Sequence, residues 1–147
     1  MLTRSIAIRA CQAKVFKAST DWNRQREWML GTNVRATEKG GKVIGGKIEA
    51  YTGLLGIGFT DTMTITSWKE PEVCSVLHTG QIVRGSGTFK VSKVDEENSI
   101  FIWSEEILLP LGMLGRVGWF FVRPIALVGV AYSLHRFKAW VETYDAA

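Results

Sequence analysis

Residues 124–144 read Pro-Ile-Ala-Leu-Val-Gly-Val-Ala-Tyr-Ser-Leu-His-Arg-Phe-Lys-Ala-Trp-Val-Glu-Thr-Tyr. Leu127, Val130, Ala131, Leu134, Phe137, Val141 and Tyr144 recur every three or four residues, the spacing of one face of an α-helix. His135, Arg136, Lys138 and Glu142 fall mostly off that stripe. Proline fits the first turn of a helix and disrupts its interior, so Pro124 is expected to begin or kink this one. A terminal helix with such a stripe needs an apolar surface to lie on.

That surface is read upstream, where the period changes from helical to alternating. From Val34 to Leu109 the chain reads as strands and turns. Lys39–Lys42 is a hairpin turn, followed by a strand over Val43–Tyr51 weakened at Gly45-Gly46. Gly53–Gly58 reads as a loop or distorted strand end, and Phe59–Trp68 as a clean strand. After the Glu70-Pro71-Glu72 turn come a strand over Val73–Val83 and a turn or bulge at Gly85-Ser86-Gly87. Strands over Thr88–Val94 and Ser99–Leu109 flank the polar turn Asp95–Asn98. Before all of these stand a strand at Thr3–Arg9 and helices at Cys11–Ser19 and Trp22–Met29, the second capped by Thr20-Asp21.

Six to seven strands joined mostly by short turns make an antiparallel meander. The expected fold is α+β: a curved antiparallel sheet wrapped around the long C-terminal helix, with two short helices after the first strand. With 147 residues, the chain is expected to form one domain over residues 1–147.

Composition narrows the function classes. Hydrophobic residues are 46% and charged residues 22% of the chain, close to the globular average. Six tryptophans suggest an aromatic-lined interior. The formal net charge of +4 is spread along the chain without a basic run or an aromatic–basic motif, which argues against nucleic acid. The same mild charge suits brief contact with an anionic membrane. Cys11 and Cys74 are read as buried thiols in a reducing compartment. The N-terminus carries no signal-like apolar core, so the expected location is the cytoplasm. The apolar stretch 107–134 is interrupted by Arg116, Arg123, Pro110 and Pro124, and its longest charge-free piece is Pro124–His135. A membrane span needs about 20 apolar residues, so a buried or cavity-covering helix is expected here.

In this order the segments resemble the polyketide cyclase/dehydrase and lipid-transport family of the START/Bet v 1-like (SRPBCC) helix-grip superfamily. Ala13-Lys14-Val15-Phe16, Thr20-Asp21-Trp22-Asn23 and Glu27-Trp28 are similar to that family's opening helix pair. The corner Trp68–Glu70-Pro71, the stretches Gly85–Phe89 and Ile102-Trp103, and Leu109-Pro110-Leu111 with the helix through Ser133–Lys138 are similar to its later elements. The resemblance implies an apolar cavity for lipids, polyketides, isoprenoids or sterols. It implies no single chemistry, since a fold does not specify one.

The expected activity is therefore binding, and in one form transport, of a hydrophobic small molecule. Expected ligand contacts are Ile48, Phe59, Met63, Trp103, Met113, Trp119, Phe120, Val128 and Tyr132, with Arg116 to fork onto an acidic group. Arg123, seven residues on and on the same face of a continuous helix, forms the more telling pair with Arg116, and Arg84 is a further candidate of the same kind. The alternative is a cyclase, aromatase or dehydratase whose cavity carboxylate serves as acid and base. Glu105 and Glu106 are its candidates; neighbours on a strand face opposite ways, so at most one points inward. If Trp103, Ile107 and Leu109 line the cavity, Glu105 joins them; if Ile102, Ser104 and Leu108 do, Glu106 joins them. Glu49, Tyr51 and Asp61 are similar candidates. Cys74 and His78 share a strand face about 13 Å apart, too far for one metal, and neither metal nor cofactor is expected. No Gly-x-Ser-x-Gly elbow supports a hydrolase. Gly53–Gly58 is read as a hairpin or cavity-mouth loop and not a phosphate-binding loop, with an apolar gate of exposed Leu54, Leu55 and Ile57 as the alternative role. An apolar patch at 111–121 would suit a protein partner, and the sequence leaves monomer and homodimer open.

Overall fold

A computed structural model of the chain describes residues 1–108 and 111–145. The strand β1 (Leu2–Ile8) leads into the helix α1 (Gln12–Ser19) and a 3₁₀ helix at Trp22–Glu27. Six strands follow: β2 (Thr32–Glu38), β3 (Lys47–Leu54), β4 (Ile57–Lys69), β5 (Val73–Thr79), β6 (Arg84–Lys93) and β7 (Ser99–Ile107). The helix α2 (Gly112–Glu142) closes the fold. All seven strands form one antiparallel sheet in the order β1-β7-β6-β5-β4-β3-β2. Register shifts between Ala36 and Glu38 and between Ile65 and Ser67 mark bulges, which bend and twist a sheet.

Alternation places one set of side chains inside the curve. Met63 and Ile65 on β4, Cys74 on β5, Val91 on β6 and Phe101 on β7 are buried. Trp28 is fully buried at the centre, with the rings of Phe137, Phe89, Phe101 and Trp103 between 4.6 and 6.3 Å away. The C-terminal end of α2 is fastened to the 3₁₀ helix. Tyr144 donates its hydroxyl to Asp21 Oδ2 at 2.9 Å, and the Arg24 guanidinium lies 5.1 Å from the Trp140 ring. Asp21 therefore serves this tie and not the cap expected of it; no side chain caps the 3₁₀ helix.

Several boundaries differ from the sequence reading. The strand expected from Val43 begins at Lys47, because Val43 and Ile44 lie exposed in the connection. The strand expected to reach Val83 stops at Thr79. Gly85-Ser86-Gly87 is no turn; it lies inside β6, paired to strands on both sides. Gly53–Gly58 is a tight hairpin in which Leu55 and Gly56 both take positive φ, 54° and 79°. The last strand ends at Ile107, and the part expected at Leu109-Pro110 lies outside the described residues. Cys74 is buried as expected, whereas Cys11 is exposed.

The largest difference concerns α2. It starts twelve residues before Pro124, which lies inside it. The expected stripe holds, but only its C-terminal part is covered: the buried residues are Ser133, Leu134, Phe137 and Val141. Upstream the helix bares its apolar side chains, with Met113 80% and Phe120 75% exposed. By length and composition it is a helix that could cross a membrane.

Candidate functional site

Between the sheet and α2 lies a cavity of roughly 320 Å³, at the small end of ligand-binding sites. Its walls are mainly apolar, with Ile48, Phe59, Met63 and Trp103 from the sheet and Met29 and Leu30 from the segment before β2. The helix contributes Ala126, Gly129, Val130 and Ser133. Three of these four are small, and that is why the helix can pass over the sheet and leave a void. Ser133 also accepts a hydrogen bond from the backbone N–H of Leu30 at 3.0 Å, so the helix is held on the far side of the cavity.

One wall carries a row of ionisable groups. His78 on β5 is hydrogen-bonded through Nδ1 to Asp61 Oδ2 on β4 at 2.6 Å. Through Nε2 it is bonded to Glu105 Oε2 on β7 at 2.9 Å. The other Glu105 oxygen accepts from the indole N–H of Trp103 at 2.8 Å. The second Asp61 oxygen, Oδ1, is buried without a hydrogen-bond partner among the described residues.

The sheet register explains how groups on non-adjacent strands meet. His78 pairs with Gly85, and Glu105 pairs with Gly87, so β6 runs between them. Two strand spacings separate β5 from β7, about 10 Å. On the inner face the middle strand offers only Gly85 and Gly87 at this point, so the two side chains close over bare backbone. A Cβ at Gly87 would stand 2.9 Å from both Glu105 oxygens. Gly85 has φ of +125°, and a Cβ there would meet the Glu106 carbonyl oxygen at 1.8 Å.

Burial works against a charged His78. Its hydrogen bonds to Asp61 and Glu105, and the charges of both carboxylates, outweigh that effect and raise its pKa to about 9. At neutral pH the imidazole is then a cation donating from both nitrogens. Two carboxylates and one imidazolium leave a formal charge of −1 in an apolar wall. Such a row favours a hydrogen-bond donor or a cationic group, since an unpaired buried carboxylate oxygen is costly. Cys74 also lines the cavity, but burial pushes its thiol up to about 12. That removes it as a thiolate nucleophile. Among the described residues no group of three His, Cys, Asp or Glu side chains has the geometry to hold a metal ion.

The structure divides the residues singled out from sequence. Ile48, Phe59, Met63 and Trp103 face the cavity, as does Glu105. Trp103 and Ile107 are on the same face as Glu105, as alternation required, while Leu109 lies outside the described residues. Glu106 is exposed on the outer face, Glu49 pairs outside with Arg35 at 3.2 Å, and Tyr51 is exposed; Asp61 alone of that second set points inward. Met113, Phe120, Val128 and Tyr132 do not line the cavity; all four are exposed, and Tyr132 packs under Arg136. Arg116, Arg84 and Arg123 are exposed as well, and Trp119 is half-buried away from the cavity. The helix thus turns its small residues to the void and its large ones outward, opposite to the sequence expectation. Leu54, Leu55 and Ile57 are exposed at the hairpin tip, as expected of them.

Sequence reasoning missed His78 as the centre of the row and the glycines that make it feasible. The signal was present: two glycines two residues apart on a strand leave one face bare.

No protein-family model and no curated protein matches this sequence. Solved structures match it by fold. The Zhui aromatase/cyclase from Streptomyces sp. R1128 superposes with a TM-score of 0.72 at 15% identity, over 96% of this chain and 92% of that one. Norcoclaurine synthase from Thalictrum flavum, in complex with dopamine and hydroxybenzaldehyde, gives 0.71 at 9% identity over 99% and 88%. The di-domain aromatase/cyclase BexL from the BE-7585A biosynthetic pathway gives 0.69 at 16% identity, over 96% of this chain. This chain spans 46% of BexL, about half its length. With the helix gripped by the curved sheet, these matches show that the chain has the Bet v 1-like helix-grip fold.

Proposed function

We propose that this chain binds a small, largely apolar molecule that carries a hydrogen-bond donor or cationic group, with that group on the Asp61–His78–Glu105 row. The observation that carries this reading is the Asp61–His78–Glu105 row in the wall of an otherwise apolar cavity. Burial of apolar carbon supplies the affinity, at about 0.8 kcal/mol per methylene. The charged row supplies orientation, because a hydrogen bond to a charged group is worth about 1.5–3 kcal/mol. Lipids, isoprenoids and polyketides with a hydroxyl fit this description. Residence in the cytoplasm, and carriage of the ligand there, belong to the same reading.

The test is native mass spectrometry of the purified protein followed by organic extraction. A one-to-one apolar adduct carrying a hydroxyl or amine supports the reading. A protein that is empty, and that also binds nothing in a panel of hydroxylated lipids and polyketides, contradicts it.

A second reading is favoured by the row itself: a cyclase or dehydratase acting on a polyketide-like chain. Asp61 Oδ1 would take a proton from a carbon between two carbonyls. That carbon then bonds to a second carbonyl carbon of the same molecule, and the proton passes to the resulting alkoxide. The His78 cation beside Asp61 would steady the developing negative charge. The names of the aromatase/cyclases among the structural matches agree with this chemistry. Exchange of the central methylene protons of benzoylacetone into D2O, accelerated by the wild type and not by Asp61→Asn, would establish it. Equal rates with and without protein would exclude it.

A further inference from the structure

Val43, Ile44 and Val94 are exposed at the other end of the sheet, but most of the exposed large apolar residues gather at one end and along α2. Successive antiparallel strands alternate in direction, so the β3–β4 hairpin, the β5–β6 connection and the end of β7 all lie at one end of the sheet. Each carries large exposed apolar side chains: Leu54, Leu55 and Ile57 in the hairpin, Ile82 in the connection, Leu108 after β7. The first half of α2 continues the patch. Phe59, Val83 and Ile107 line the cavity from this same end, so the patch surrounds its mouth. Leu55 is 93% exposed while holding a left-handed backbone, φ 54°. Asn or Gly would suit that position better.

We infer that this end of the domain docks into an anionic lipid bilayer, with the cavity mouth against the membrane. Two observations select lipid over a second copy of the chain, and a third sets how the helix lies in it. The exposed apolar residues of α2, among them Met113, Phe121, Val122 and Ile125, cover more than half of its circumference by helical phase. A single helix–helix seam covers a narrower stripe. The charges also favour lipid. From Ile107 to Val141 the sequence has no acidic residue, and Arg116 and Arg123, seven apart, share one side of the helix. With Arg84 beside the mouth, they flank the apolar arc and suit lipid phosphates. The helix has one acidic residue, Glu142 at its far end, and the nearest acid before it in the chain is Glu106 on the outer face of β7. Finally, the helix is tied at both ends to one domain. Five residue steps join Ile107 to Gly112, a reach of at most ~18 Å, short of the ~30 Å hydrocarbon core. The other end is buried at Val141. The helix therefore lies in the interface and does not span it. This inference does not depend on which molecule fills the cavity.

The experiment is flotation of the full chain with vesicles of phosphatidylcholine alone and of phosphatidylcholine with 30 mol% phosphatidylglycerol. The wild type should float with the anionic vesicles. Arg116→Gln/Arg123→Gln should lower that binding roughly tenfold or more. Leu55→Asp and Phe120→Asp/Phe121→Asp should abolish it on both compositions, with unchanged circular dichroism. Wild type that stays in solution beside anionic vesicles, or that floats equally after the apolar-to-Asp substitutions, overturns the inference. A stable dimer that buries α2 and ignores vesicles does so as well.

Discussion

Gly87 on β6 holds open the space in which the Glu105 carboxylate lies: a Cβ at Gly87 would come within 2.9 Å of both its oxygens. The φ of Gly87 is outside the left-handed region, so room and not backbone freedom is what the glycine provides. Gly87→Ala should push the Glu105 carboxylate off His78 Nε2 while leaving the sheet paired. The His78 pKa should then fall from about 9 toward its ordinary value, read by NMR titration of the imidazole carbons. An unchanged titration would mean that Glu105 has another seat.

The charge on His78 also sets a pH dependence. Its pKa is raised from 6.5 to about 9 in the folded chain, so it stabilises the fold fully below pH 6.5. That contribution is lost as the pH rises through about 9. The loss should amount to roughly 3 kcal/mol at most. Urea unfolding at a series of pH values, for wild type and His78→Gln, isolates it. The stability difference between the two should shrink steadily across this window, and parallel curves would contradict the assignment.

The two halves of α2 should respond differently to truncation. Phe137 is fully buried against Trp28 and Phe101, and Phe120 is 75% exposed. Phe137→Ala should cost about 3–5 kcal/mol in urea unfolding. Phe120→Ala should change stability by no more than about 0.5 kcal/mol.

The clasp at the C-terminus can be tested alone. Tyr144→Phe removes only the hydroxyl donated to Asp21 at 2.9 Å. Loss of one such bond should lower unfolding free energy by about 1–2 kcal/mol. No change would mean that the Arg24 stacking on Trp140 and Tyr144 holds this end by itself.

Much of the fold was legible because periodicity reports burial. The stripe ending in Phe137, Val141 and Tyr144 did identify the buried face, and alternation correctly tied Glu105 to Trp103 and Ile107. The cavity side of α2 was not legible. Apolar patterning points large residues to a core, whereas a void needs small ones, and here Ala126, Gly129 and Ser133 face it. The Asp61–His78–Glu105 row was only half visible. Asp61 and Glu105 were candidates, but His78 joins them through register, which pairs it with Gly85 and pairs Glu105 with Gly87. Reading those glycines as a turn or bulge hid the bare lane between them. Pro124 left the helix start open, because a proline suits a first turn as well as a kink within a helix, and here it lies inside.

The central claim is that the cavity takes an apolar molecule and orients it by a donor on the Asp61 carboxylate. The most direct test titrates the protein with naphthalene and with 2-naphthol, which differ by one hydroxyl, following tryptophan fluorescence. Both should bind saturably. The wild type should prefer 2-naphthol roughly tenfold or more, and Asp61→Asn should lose most of that preference while still binding naphthalene. Equal affinity for the two in the wild type, or no saturable binding of either, would contradict the account.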